Sequence, residues 1–351
     1  MPLPIPHTTQ PRWPEITGDR FAGVISRADP AGCRVALLGA PDDLGVRLNH
    51  GRPGAAEGPA AFRAALARFG TTYDLARKEP LGVTVYDAGD VEPAPGDSAD
   101  ALDETHRRLT EACSALHRLG LVPVVIGGGH DLTFPAVRAL ADRTGDPVGG
   151  INVDPHLDVR ETTGSGMPYR RLIDGGHLDP CRFIELGVGR FSNSREHVEW
   201  LLERGATLIL DDHVLPSPTG RATVGEGLAS PSPTGRGGRG VRGLCSDAIE
   251  RAVTTALPEH DSIGFVSVDL DVIDGSQAPG VSSVNPAGLS VQLVCDLARR
   301  AGADTRISHF DIMELSPPND DPPGVGRTAR TAALIFLHFI SGFSERPAAA
   351  P

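Results

Sequence analysis

Residues Gly149–Arg160 read GGINVDPHLDVR. The first half is short and apolar, as suits a strand buried on both faces of a sheet. The second half sets Asp154, His156 and Asp158 at i, i+2 and i+4. Alternate positions of an extended chain point the same way, so the three groups leave the strand on one side. Three ionisable groups gathered there are costly without a cation to neutralise them. Ligands of open α/β sheets bind at the carboxyl ends of the strands. This one stretch therefore predicts the fold class and the end of the sheet that carries the chemistry.

Seven further runs read as strands: Arg34–Gly39, Val83–Asp87, Val122–Gly127, Phe183–Gly187, Ala206–Leu210, Ile263–Asp269 and Arg306–Ile312. Between them lie segments of helical period: Ala55–Phe69, Asp100–Leu119, Pro135–Arg143, Ser194–Glu203, Asp247–Leu257, Ser290–Ala301 and Arg327–His338. Such alternation implies a parallel sheet covered by helices, and no linker divides it into two domains. Residues 1–20 are proline-rich and read as an arm, 21–345 as one domain, and 346–351 as a tail. Residues 216–243 repeat PSPTGR at Pro216–Arg221 and Pro231–Arg236 and are rich in Gly, Ser, Pro and Arg. That composition buries too little apolar surface to offset its ordering entropy, and reads as a disordered insert.

The chain has 351 residues, with 45 acidic against 33 basic side chains and a formal charge of −12. An acidic surface argues against a nucleic-acid binder. No apolar run approaches the roughly 18 residues of a membrane helix, and the start lacks signal-peptide character. The five cysteines are far apart and form no CxxC pair, so neither a disulfide framework nor a thiolate zinc site is expected. A reducing cytoplasm is the expected compartment.

Two other strand ends carry groups of the same kind. Val122–Gly127 runs into GGGHD, which places His130 beyond a triple glycine, and Ile263–Asp269 runs into DLD, with Asp269 and Asp271 at i and i+2. The sum is four carboxylates and two imidazoles, which two divalent cations would neutralise charge for charge. A mixed N/O set without thiolate suits Mn²⁺ above all, with Co²⁺, Ni²⁺ and Zn²⁺ as alternatives. Paired ions of this type deprotonate a bridging water near neutral pH, so hydroxide attack on a trigonal carbon is the expected chemistry.

At these residues the sequence resembles the ureohydrolases, the arginase, agmatinase and formimidoylglutamase family. GRPGAAEGP at Gly51–Pro59, GGGHD at Gly127–Asp131, DPHLDVR at Asp154–Arg160, SVDLDVIDGSQAPG at Ser267–Gly280 and DIMELSP at Asp311–Pro317 follow the family's motifs in order. The resemblance implies an arginase-like three-layer α/β/α sandwich around an eight-stranded parallel sheet, often assembled as trimers or hexamers. It also implies two Mn²⁺ per subunit. His130, Asp154, Asp158 and Asp269 would hold one ion, and His156, Asp154, Asp269 and Asp271 the other. Glu314 would bind the cationic amidine or guanidine of the substrate, and Asp274 would support the ligands.

One departure bears on the substrate. Arginases and many agmatinases carry a histidine, read as a proton shuttle, where this chain has Ser165 in GSGMPYR. A serine hydroxyl does not titrate near pH 7. GSGMPYR, Arg160 directly after the metal motif, and GRTAR at Gly326–Arg330 resemble the formimidoylglutamase branch instead. The implied reaction is N-formimidoyl-L-glutamate plus water to L-glutamate and formamide. A dicarboxylate substrate calls for cationic side chains at the mouth. Arg160 and Arg170 are the expected substrate-binding arginines, beside Ser165, with Arg190 a further candidate. His50 and His177 are candidates to replace the shuttle. Two alternatives stand beside this reading: a guanidino-compound ureohydrolase releasing urea, and a non-catalytic binding protein of the same fold.

Overall fold

The computed structural model describes residues 5–210, 213–215, 240–324 and 326–347. In chain order the strands are β1 (Thr8–Thr9), β2 (Val35–Ala40), β3 (Tyr73–Asp74), β4 (Glu79–Pro80), β5 (Val85–Val91), β6 (Val122–Gly127), β7 (Val148–Val153), β8 (Leu178–Leu186), β9 (Thr207–Leu210), β10 (His213–Leu215), β11 (Gly264–Asp269) and β12 (Ile307–Met313). The helices are α1 (Leu44–Leu48), α2 (Gly58–Leu66), α3 (Ala99–Arg118), α4 (Thr133–Thr144), α5 (Pro168–Asp174), α6 (Arg195–Glu203), α7 (Gly240–Ala256), α8 (Val291–Ala303) and α9 (Arg327–Phe343). Helices α1 and α5 have no counterpart in the sequence reading, because one or two turns are too short to display a period.

All eight runs read as strands lie in one sheet, in the order β5-β2-β6-β12-β11-β7-β8-β9, and every neighbouring pair among them is parallel. Short antiparallel strands extend both edges, β1 on β5 and β10 on β9. Period two sorts the side chains into two cores. Val35 and Leu37 pack with α2, α8 and α9 on one face, while Ala36 and Leu38 pack with α3 and α4 on the other. The result is three layers with both faces of the sheet dry, which is why β2, β7 and β11 are buried at every position.

The N-terminal arm is fastened to the domain. Ile5 is buried, β1 lies along β5, and Trp13 Nε1 donates to Asp87 at 2.7 Å. Asp87 in turn receives two bonds of 2.9 Å from the buried guanidinium of Arg63. Of the expected insert at 216–243, residues 216–239 lie outside the described residues, and the helix after it already begins at Gly240.

The topology decides where a ligand can sit. The chain leaves β6 and resumes the sheet at β7, three positions away, and β11 and β12 later fill the space between. The carboxyl ends of these four adjacent strands open onto one crevice, the switch point of the sheet.

Candidate active site

Each of those four strands delivers a ligand-type side chain. His130 follows β6, Asp154, His156 and Asp158 follow β7, Asp269 ends β11 with Asp271 in the short 3-10 turn after it, and Glu314 follows β12. The triple glycine before His130 works by closeness: a Cβ on Gly128 would sit 1.7 Å from the carbonyl oxygen of Asp42. Asp158 and Glu314 both adopt left-handed backbone, φ 48° and 63°, a conformation that costs energy for a side chain other than glycine. The surrounding structure holds both in the crevice at that expense.

Two groups of ligand atoms result. His130, Asp154, Asp158 and Asp269 form one, and His156, Asp269 and Asp271 the other, each with its atoms within 4.8 Å of one another. Asp269 belongs to both. Asp154 also approaches the second group, its Oδ1 lying 3.3 Å from His156 Nδ1. His130 Nδ1 has one oxygen each of Asp154, Asp158 and Asp269 at 3.0, 3.0 and 3.1 Å. Three acceptors exceed what one N–H can serve, and Nδ1 makes no hydrogen bond of good geometry. Separations near 3.0 Å instead suit donors that would share one cation at about 2.1 Å. The donor set thus fits a pair of divalent cations, with oxygen-rich ligands and no thiolate.

The electrostatics point the same way. Burial, then the charges of neighbouring carboxylates, raises Asp158, Asp269 and Asp271 above the ordinary carboxylate range. Burial and the charge of Asp271 push Glu314 up to about 8. Burial by itself would lower His156, but Asp154, Asp158 and Asp271 outweigh it and carry the ring to about 10. Cations held among these groups would offset the repulsion between their carboxylates.

The groups behind the ligands fix their aim. His130 Nε2 meets Ser267 Oγ at 3.0 Å and Tyr169 Oη at 3.2 Å, which turns Nδ1 toward the carboxylates. Tyr169 donates to Asn152 at 2.8 Å, and Asn152 to Glu185 at 2.8 Å. Thr133 and His309 hold Asp311 at 3.2 and 3.0 Å, and Asp311 accepts from Ser267. The sequence reading missed this layer. A signal existed, because Ser267 and Asn152 stand two residues before Asp269 and Asp154, on the same side of their strands.

A cavity of about 270 Å³ opens over the cluster, lined also by Asn49, Arg160, Ser165, Asn193, His197, Ser282 and Glu314. Glu314 Oε1 accepts the His130 backbone N–H at 2.9 Å, while its Oε2 is buried and has no partner. Arg160 donates to Asn49 at 2.7 Å, and Asn49 donates to Ser165 at 3.2 Å.

Other expected residues are not brought there. Arg170 lies on α5 and faces a separate depression with Phe134 and His177. Its guanidinium is spent on Asp174 at 2.6 Å and Glu161 at 2.9 Å, over the ring of Trp200. The sequence could not show that its helix turns it outward. Asp274 caps its own turn by accepting the Ser276 N–H at 2.9 Å and reaches none of the ligands. Arg190 is exposed, and neither His50 nor His177 lines the cavity over the cluster.

Comparison with known proteins agrees with this geometry. The profile of the arginase family matches residues 33–222 and 240–341. A formimidoylglutamase from Aromatoleum aromaticum is 32% identical over 89% of this chain and 84% of its own. Another from Nocardia farcinica is 29% identical over 96% of this chain and 94% of its own. The crystal structure of Trypanosoma cruzi formiminoglutamase with Mn²⁺ superposes with a TM-score of 0.77 at 28% identity, covering 93% of this chain and 99% of that one.

Proposed function

This chain belongs to the arginase family, and we propose that it hydrolyses N-formimidoyl-L-glutamate to L-glutamate and formamide at a centre of two Mn²⁺ ions. The observation that carries the reading is the pair of ligand groups sharing Asp269, set beside a buried glutamate oxygen with no partner. Names borne by relatives over nearly the whole chain support the amidine and its dicarboxylate tail.

His130, Asp154, Asp158 and Asp269 would hold one ion, and His156, Asp154, Asp269 and Asp271 the other. Two Mn²⁺ there would supply a hydroxide near neutral pH together with Lewis-acid stabilisation of developing negative charge.

Glu314 accepts the amidinium N–H through Oε2, a charge-assisted bond in a buried site. Its Oε1 is anchored to the backbone of His130, so substrate and ligand are referenced to one point of the chain. That fixes the amidine carbon over the cluster and lowers the barrier by orientation. Arg160, steadied by Asn49 and Ser165, takes a carboxylate of the substrate. Ser165 has no titration near neutrality, unlike the shuttle histidine that ureohydrolases of the arginase type carry at this place.

The test is a product assay of manganese-loaded protein on N-formimidoyl-L-glutamate, arginine, agmatine and 4-guanidinobutyrate. Formamide and glutamate from the first is the expected result. Urea from a guanidino compound with no formamide would overturn the substrate assignment.

A further inference from the structure

A formimidoylglutamate molecule carries two carboxylates, so the pocket needs two groups that attract negative charge away from the acidic cluster. Arg160 is one. Arg170, expected as the second, is committed to Asp174 and Glu161 outside the pocket. Among the described residues lining the pocket, the remaining side chain able to bear positive charge outside the ligand groups is His197.

The chain holds His197 in place from two directions. Asn193 Oδ1 accepts the Leu157 N–H at 2.9 Å and Nδ2 donates to the Pro155 carbonyl at 2.8 Å. Those two peptide groups flank His156, so the loop before α6 is sewn to the metal loop itself. Ser194 then caps α6 by accepting the His197 backbone N–H at 3.2 Å. His197 therefore stands in the first turn of a nine-residue helix whose start is tied to the ligands. The unpaired amides of that turn add a positive end of the helix dipole to the same wall.

Two of the polar side chains that share this pocket are already occupied. Asn193 spends both side-chain ends on the metal loop, and Asp271 accepts from Ser282 and from the Ser283 N–H, both at 3.2 Å. The half-buried His197 ring makes no hydrogen bond and no ion pair with the described residues.

Resting on the substrate proposed above, we infer that His197 and Arg160 together select a dicarboxylate, each binding one carboxylate of the substrate. His197 is a specificity residue in this assignment and takes no part in the bond that breaks.

The experiment compares the manganese-loaded wild type, His197→Phe, His197→Lys and Arg160→Ala on three substrates. These are N-formimidoyl-L-glutamate, N-formimidoyl-4-aminobutyrate, which lacks the α-carboxylate, and N-formimidoyl-L-2-aminobutyrate, which lacks the γ-carboxylate. His197→Phe should raise KM for the dicarboxylate by about 10- to 100-fold with kcat within about threefold, the loss of one charge-assisted contact. His197→Lys should restore most of the affinity. On one monocarboxylate His197→Phe should match the wild type, and on the other Arg160→Ala should do so. Competitive inhibition by L-glutamate should weaken in parallel with KM.

An equal loss for His197→Phe on all three substrates, or a fall in kcat at constant KM, would overturn the assignment. So would a His197→Phe enzyme indistinguishable from wild type on the dicarboxylate, a result that leaves the substrate reading standing. A wild type that consumes none of the three substrates sinks the substrate reading and this assignment with it.

Discussion

Asp269 belongs to both ligand groups, with Asp154 also approaching the second, and replacing Asp269 separates a paired centre from two independent ones. Asp158 serves the first group alone and Asp271 the second alone. At a Mn²⁺ concentration of 100 times Kd, one site adds about 2.7 kcal/mol to folding stability and two add about 5.4 kcal/mol. Some 300 ordered residues unfold with an entropy near 0.65 kcal/mol per kelvin, so each filled site raises Tm by about 4 °C. Changing a ligand carboxylate to an amide removes a full charge beside the ion and weakens it by about 100-fold or more. At the same Mn²⁺ concentration that leaves about 0.4 kcal/mol of the affected site's stabilisation, below 1 °C. Asp158→Asn and Asp271→Asn should therefore retain about one ion per chain and about half of the wild-type shift of 8 °C. Asp269→Asn should retain less than one ion and almost none of the shift. The assay is metal content after desalting, paired with melting curves in chelator and in Mn²⁺. Two ions retained by Asp271→Asn, or one full ion and half the shift retained by Asp269→Asn, would refute the shared-ligand geometry.

Three further outcomes follow from particular contacts. Glu314→Gln keeps the acceptor for the His130 N–H but loses the charge that meets the amidinium. We expect kcat/KM to fall by about 100-fold with metal content and Tm unchanged, and activity within about threefold of wild type would contradict that contact. Arg170→Ala should leave kcat/KM within about threefold while Arg160→Ala raises KM tenfold or more, because only Arg160 lines the cavity; the reverse order would return Arg170 to the site. His117 is buried with neither ring nitrogen paired, and burial, then His309 and Arg143, pushes its pKa down to about 3. The unfolded chain takes up this proton near pH 6.5 and the folded chain only near 3, so stability present above 6.5 is lost as pH falls through that window. By pH 5 the loss is about 2 kcal/mol, and His117→Leu should lack it; chemical denaturation at pH 7 and pH 5 with equal losses in both proteins would be the wrong outcome.

Much of this molecule was legible before folding. Ile151 and Val153 are apolar and Asp154 is not, and that change marks a strand entering a crevice. The spacing of Asp154, His156 and Asp158, and of Asp269 and Asp271, marked the ligands, but strand alternation is not what aims them. β7 ends at Val153, Asp158 is left-handed and Asp271 lies in a short 3-10 turn, so turns bring these side chains to one side. Charge arithmetic then called for cations wherever such segments converged.

What the sequence alone determined was therefore chemistry carried within a few residues of one strand end. Tertiary structure decided the rest. The convergence of β6, β12, β11 and β7 sets ligand atoms from residues more than a hundred positions apart within 4.8 Å of one another. The roll of α5 sends Arg170 to Asp174 and Trp200, and the stitch from Asn193 to Pro155 and Leu157 holds His197 in the pocket wall. Those directions depend on how a helix packs against the sheet, and helix packing is settled by side chains distant in sequence.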